Sequence, residues 1–235
     1  MNPQLYYADV SALADPQLFR RLYHSVSGMR REKVDHIRPT AGKLLSLGAG
    51  ALLEASLAAL GVHWPQLMQD ANGKPYLPGR DDLFFNISHS GKHVLCAVSD
   101  REIGCDVEKT GLARLALAKR CFCEAEYQAL LRCPDAATRD RLFFWYWTLK
   151  ESFLKATGLG FRLPLNAFCI CTEAEQIIVR QSVDARNYSF CSFSGEDYQY
   201  AVCSVDASLE GLCLTERSFP VLADILEGRA GTSAK

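Results

Sequence analysis

The densest apolar block in the chain is Leu142–Gly158, LFFWYWTLKESFLKATG, in which nine large apolar residues surround Lys150, Glu151 and Lys155. A segment of this kind forms a stable helix only when packing buries most of it, so the pattern predicts a core helix. Trp147, Glu151 and Lys155 follow one another at i, i+4 and i+8 and share one stripe of that helix. Taken alone, Glu151 and Lys155 read as a solvated ion pair worth about 0.3–0.5 kcal/mol. A second long helix is predicted over Thr40–Leu60, apolar at Leu44, Leu45, Leu47, Leu52, Leu53, Leu57 and Leu60 and stopped by Gly61. Asp15-Pro16 opens a shorter helix towards His24, since aspartate caps and proline suits the first helical position. Further helices are expected over Gly111–Arg120 and from Phe122 to Leu131.

Strand patterns occur at Leu5–Val10, Leu83–Ser88, His93–Ser99 and Ile103–Glu108. After the aromatic helix come Phe168–Thr172, Gln176–Arg180, Tyr188–Ser194 and Tyr198–Val205, which predict a mostly antiparallel sheet. Asn72-Gly73-Lys74-Pro75 and Ser88-His89-Ser90-Gly91 read as turns. The fold class is α+β. The stretch His93–Asp100 is echoed in Gln199–Asp206, which suggests two similar α+β halves joined near residues 105–112. The expected division is residues 1–105 and 106–227, with 228–235 as a disordered tail.

Composition narrows the function. A net charge of −1 argues against a dedicated nucleic-acid binder. No apolar run reaches the roughly 18 residues of a membrane span, and MNPQLYYADV lacks the basic start and apolar core of a signal peptide. A soluble, cytoplasmic protein without nucleic-acid or membrane partners is expected. The ten cysteines contain no CxxC and sit mostly among apolar residues, so reduced thiols are expected.

Asp106 and Glu108 are two apart on a strand, so both carboxylates leave one face. Either both point into water, or they share a divalent cation that removes their repulsion. With Glu151 they make three carboxylates, a donor set suited to Mg²⁺, which completes its shell with water and phosphate oxygens. Lys155 lies one turn beyond Glu151, and Arg30, Lys33, Lys43 and Lys74 supply further cations. The Ser-His-Ser-Gly segment is either a plain polar turn or a set of donors for an anion. Together these residues suggest a magnesium-dependent enzyme acting on a polyphosphate ester.

The sequence resembles the surfactin-synthetase (Sfp-like) type of 4′-phosphopantetheinyl transferase. The resemblance rests on Gly73-Lys74-Pro75, on Phe85–Gly91 (FNISHSG) and on Ile103–Thr110 (IGCDVEKT). It continues in Phe122-x-x-x-Glu126-Tyr127 and Trp147-Thr-Leu-Lys-Glu-Ser-Phe-x-Lys155, with weaker likeness at Arg30–Lys43 and Leu163-Pro-Leu165. It implies two α+β halves related by a pseudo-twofold, with the active site in the cleft between them. By the resemblance Asp106, Glu108 and Glu151 hold Mg²⁺ or Mn²⁺, and Asp106 also faces coenzyme A. Lys74, Ser88 and His89 contact its phosphates, Arg30, Lys33 and Lys43 match basic positions of the nucleotide pocket, and Lys155 faces the pyrophosphate. Glu126 matches an acidic position of unassigned role. Cys105 stands where an aliphatic residue is usual, and Cys123 where a Ser or Thr helix cap is usual.

The implied reaction moves phosphopantetheine from coenzyme A to a serine hydroxyl of an apo acyl, peptidyl or polyketide carrier protein, releasing 3′,5′-adenosine bisphosphate. Glu151 and Lys155 are the expected catalytic pair, and the family implies a monomer. Arg114, Lys119 and Arg120 follow the metal strand and suit an acidic carrier helix. Two other readings fit the same residues: a magnesium-dependent coenzyme A phosphohydrolase, and a non-catalytic binder of coenzyme A or carriers.

Overall fold

A computed structural model describes residues 1–228. The expected tail, Gly228 apart, lies outside the described residues. In chain order the elements are β1 (Gln4–Asp9), a 3₁₀ turn, α1 (Pro16–Ser25), α2 (Gly28–His36), α3 (Thr40–Ala58), β2 (Met68–Gln69), β3 (Pro75–Tyr76), β4 (Phe84–Ser90), β5 (His93–Ser99) and β6 (Ile103–Lys109). They continue with α4 (Leu115–Cys121), α5 (Glu124–Leu131), α6 (Ala136–Thr157), β7 (Cys169–Glu173), β8 (Gln176–Arg180), β9 (Tyr188–Ser194), β10 (Tyr198–Val205), β11 (Leu214–Glu216) and α7 (Phe219–Gly228).

Two sheets stack between two long helices. The first sheet has the order β11-β1-β5-β4 and the second β6-β10-β9. Alternation assigns the faces. On β5, Val94, Cys96 and Val98 pack with the apolar side chains of α3, while Leu95 and Ala97 pack against Ile103, Cys105 and Val107 of β6. On β10, Tyr198, Tyr200 and Val202 face the first sheet, and Ala201 and Cys203 face Leu149 and Phe153 of α6. β5 and β10 are therefore covered on both sides, which is why they are almost continuously apolar.

The two long helices follow from the same burial. In α3 every residue from Ser46 to Leu57 is buried. By length and composition alone this helix is long and apolar enough to cross a membrane. Its apolarity is accounted for by the first sheet, α1 and α7 packed around it. Helix α6 begins earlier than its aromatic run suggests, because the Asp135 side chain accepts the Thr138 N–H (2.7 Å) and caps it. The Asp15 cap is present as expected and accepts from Gln17 N–H.

Three sequence expectations differ from the structure. His89 and Ser90 continue β4 beyond Ser88 instead of forming its turn, since the register with β5 runs on to Ser90↔His93. β7 and β8 pair only with each other, outside the sheet formed by β6, β10 and β9. The expected boundary at residue 105 falls inside β6, and β11 and α7 return to pack on β1, α1 and α3.

Candidate active site

Side chains join the two sheets along β4 and β6. Asn86 Oδ1 accepts the Cys105 N–H (2.9 Å), Ser88 Oγ donates to Asp106 Oδ1 (2.7 Å), and Ser90 Oγ donates to Glu108 Oε2 (2.6 Å). Three alternate residues of one strand thus meet β6, two of them at the carboxylates singled out in the sequence. Asn86 and Ser90 were missed as site residues. The signal was their two-residue spacing around Ser88, hidden when Ser88–Gly91 is read as a turn.

Helix α6 lies across β6 at Gly104. A Cβ there would stand 2.1 Å from Ser152 O and 2.3 Å from Ala156 N, both backbone atoms. Only glycine permits that approach. It places Lys155 so that Nζ donates to Asp106 Oδ1 (2.6 Å), Ser88 Oγ (3.0 Å) and the Cys105 carbonyl (3.2 Å). The Glu151–Lys155 ion pair that the helix taken alone suggests does not form: among the described residues, Asp106 is the carboxylate that Lys155 bonds.

The charges around this point are coupled. Burial and the carboxylates of Asp106 and Glu108 raise the Glu151 pKa against the pull of Lys155. Glu108 is likewise raised, first by burial and then by Asp106, although its bond from Ser90 opposes the shift. For Lys155, burial acts to lower the pKa, but Asp106, Cys105 and Glu151 outweigh it and the net shift is upward. Asp106 Oδ2 is buried with no hydrogen-bond partner. An orphaned carboxylate oxygen beside two strained acids fits a hard divalent cation.

The three acids are not drawn into one compact cluster. Among the described residues, the trio of ligand atoms within 4.8 Å of one another is Cys123, Glu126 and Cys169. That trio is otherwise engaged. Cys123 and Cys169 form a disulfide, contrary to the expected reduced thiols, because α5 and β7 hold their Cα atoms 5.7 Å apart. Glu126 pairs with Lys150 (2.9 Å), accepts from Ile170 N–H (2.7 Å) and closes its own helix by accepting from Cys123 N–H (2.9 Å). This gives Glu126 a structural role, with its side chain capping the N-terminus of α5.

Lys155 lines one of two adjoining cavities. One, of about 330 Å³, is walled by Lys74, Asn86, Glu151 and Lys155; the other, of about 390 Å³, by Arg30, Lys33, Glu54 and Met68. Gly73, Pro75 and Ile87 line both. Burial, then Lys155 and Lys33, lower the His89 pKa, so His89 sits in the same positive field. Lys43, on the first turn of α3, is not among the residues lining the second cavity. Lys74 lines the first, but its Nζ is turned to the carbonyls of Ala156 (3.3 Å) and Ile103 (3.4 Å).

The model of the 4′-phosphopantetheinyl transferase superfamily matches residues 102–203, which contain all three acids and Lys155. Over those residues the chain is similar to that superfamily. It is a family of enzymes, and Sfp-type members are among the relatives of the chain. A 4′-phosphopantetheinyl transferase of Bacillus subtilis is 38% identical over 135 residues, covering 56% of this chain and 59% of that protein. The 4′-phosphopantetheinyl transferase gsp of Aneurinibacillus migulanus is 31% identical over 154 residues, covering 65% and 64%. The chain therefore spans about three-fifths of the length of the curated relatives it matches. A holo-(acyl-carrier-protein) synthase structure from Bacillus anthracis overlays 46% of this chain and 96% of its own, at 15% identity and a TM-score of 0.40.

Proposed function

We propose that the chain is a phosphopantetheinyl transferase that moves the phosphopantetheine of coenzyme A to a serine hydroxyl of an apo carrier protein. The observation that carries this reading is the orphaned Asp106 Oδ2, on a carboxylate bonded to Lys155, which with Lys74 lines a cavity. Asp106, Glu108 and Glu151 would hold Mg²⁺ or Mn²⁺. When bound, the ion neutralises charge that builds on the pyrophosphate as the phosphoanhydride breaks. The halves around β4–β5–α3 and β6–β10–α6 are read as related by a pseudo-twofold, with the substrate in the cleft between them.

The chain's own residues have separable tasks. Lys155 keeps its proton, because its pKa is raised, and places a fixed positive charge at the phosphates. Glu151 takes the serine proton; its raised pKa brings it closer to the pH at which a carboxylate base works well. Ser88 fixes Asp106 and Lys155 relative to each other. Arg30, Lys33 and His89 hold the nucleotide phosphates. Lys43 and Lys74 are weaker candidates for that role, and Lys74 would have to leave two carbonyls to reach a phosphate. Arg114, Lys119 and Arg120 are exposed beyond β6, on the side where an acidic carrier helix would dock.

The test is to incubate the protein with coenzyme A, Mg²⁺ and several apo carriers, then weigh each carrier. One added phosphopantetheine, lost with EDTA, supports the transferase. Coenzyme A split equally fast without a carrier would make the protein a hydrolase, and no turnover at all would make it a binder.

A further inference from the structure

Arg30 reaches the second cavity by lying across α3 at Gly50. A Cβ on residue 50 would stand 2.2 Å from Arg30 Nε, 2.4 Å from Cδ and 2.7 Å from Cγ. The collision therefore spans three consecutive atoms of the side chain, so turning the guanidinium cannot relieve it and the whole chain must leave. Arg30 is only 9% exposed, yet among the described residues its guanidinium makes one hydrogen bond, from Nη1 to Ser46 O (3.4 Å). The opposite charge that acts on it is Glu54, 3% exposed, which is held by Ser27 N–H (3.0 Å) and Ser27 Oγ (2.7 Å). Ser27 in turn caps α2 by accepting the Arg30 N–H. Burial lowers the Arg30 pKa and Glu54 opposes that shift, as expected of a charge removed from water ahead of its ligand. The side chain is thus seated, countercharged and underbonded, with a cavity in front of it.

We infer that Gly50 is a positioning residue for nucleotide-phosphate binding: its missing side chain is the seat that holds Arg30 ready for an anion in this cavity. The inference rests on the proposed binding of coenzyme A. It adds a residue with no charge and no ligand contact to the determinants of that pocket. Glu54 lines the same cavity and its negative charge favours the charged guanidinium.

The test compares 3′,5′-adenosine bisphosphate with adenosine by calorimetric titration. In the parent protein the bisphosphate should bind more tightly. Gly50→Ala should weaken the bisphosphate about tenfold or more, as the loss of a charged hydrogen bond implies, and leave adenosine nearly unchanged. On an Arg30→Ala background, Gly50→Ala should have no further effect. If Gly50→Ala alone folds poorly, removing the colliding side chain in Arg30→Ala/Gly50→Ala should restore the melting temperature. Unchanged bisphosphate affinity, an equal loss for adenosine, a full second loss on the Arg30→Ala background, or no recovery in the double variant would each overturn the inference. A parent protein that binds neither ligand would instead defeat the coenzyme A reading, and the inference with it.

Discussion

Lys150 and Glu126 form an ion pair inside the protein, Nζ to Oε2 at 2.9 Å, with side-chain exposures of 0% and 1%. Lys150 also donates to the carbonyls of Phe168 (2.8 Å) and Leu165 (2.9 Å). The residue that follows it on α6 is Glu151, which lines the cleft. One turn of helix therefore carries its anchor on one face and its proposed base on another. Desolvation is the largest influence on both members of the pair, lowering Lys150 and raising Glu126, and their mutual attraction opposes it. Every contact is needed to keep these two charges ionised away from water.

Breaking this pair from one side should be costly. Lys150→Met leaves Glu126 charged and buried, and should destabilise the fold by about 3–5 kcal/mol. Lys150→Met/Glu126→Gln should recover at least about 1 kcal/mol of that loss, because the uncompensated charge is gone. Urea denaturation of the two variants measures the difference. A single variant as stable as the parent would show that the pair does not anchor α6.

The disulfide closes a loop between residues 46 positions apart, around this anchor. Cys169→Ser should lower stability by about 2–4 kcal/mol, through the loop-closure entropy returned to the unfolded chain. Thiol counting gives an independent check. Denatured but unreduced protein should titrate eight cysteines. Ten reactive thiols would mean that Cys123 and Cys169 are not joined.

The α6 periodicity and the strands of both sheets other than β11 were legible, because burial writes its period directly into the sequence. The partners were not. The helix alone suggested Glu151 as the partner of Lys155, since i, i+4 neighbours are visible in a sequence, whereas Asp106 lies 49 residues away. Ser90 looked like a turn residue because strand propensity disfavours it; the hydroxyl bond to Glu108 outweighs that preference. Reduced thiols were expected from spacing and composition, and neither reports that α5 and β7 meet. Gly50 and Gly104 gave no signal, since a glycine required by a neighbour's approach looks like any helical or strand glycine.

Gly104→Ala tests how tightly the site depends on the helix–strand crossing. The added methyl meets backbone on α6, which cannot turn aside as a side chain could. The helix must move outward, carrying Glu151 and Lys155 away from Asp106. Overpacking of this kind should cost about 1–3 kcal/mol of stability. A displacement near 1 Å should reduce carrier modification by about 100-fold. Variant activity within about threefold of the parent would show that the crossing distance is not critical.

Glu151→Gln separates a metal ligand from a structural charge. Among the described residues Glu151 makes no hydrogen bond or ion pair, and it feels the repulsion of Asp106 and Glu108. Replacing its carboxylate with a neutral amide removes that repulsion and a buried charge, so with EDTA the variant should melt at or above the parent temperature. Mg²⁺ should then act unequally on the two proteins. At about 100 times its dissociation constant the ion should stabilise the parent by about 2.7 kcal/mol, because it binds the folded state alone. The variant keeps two of the three acids and should lose most of that gain, together with transfer to the carrier. A lower melting temperature in EDTA would make Glu151 a structural residue. A Mg²⁺ shift equal to the parent's would remove it from the metal site and leave Asp106 and Glu108 as the only acids to hold the ion.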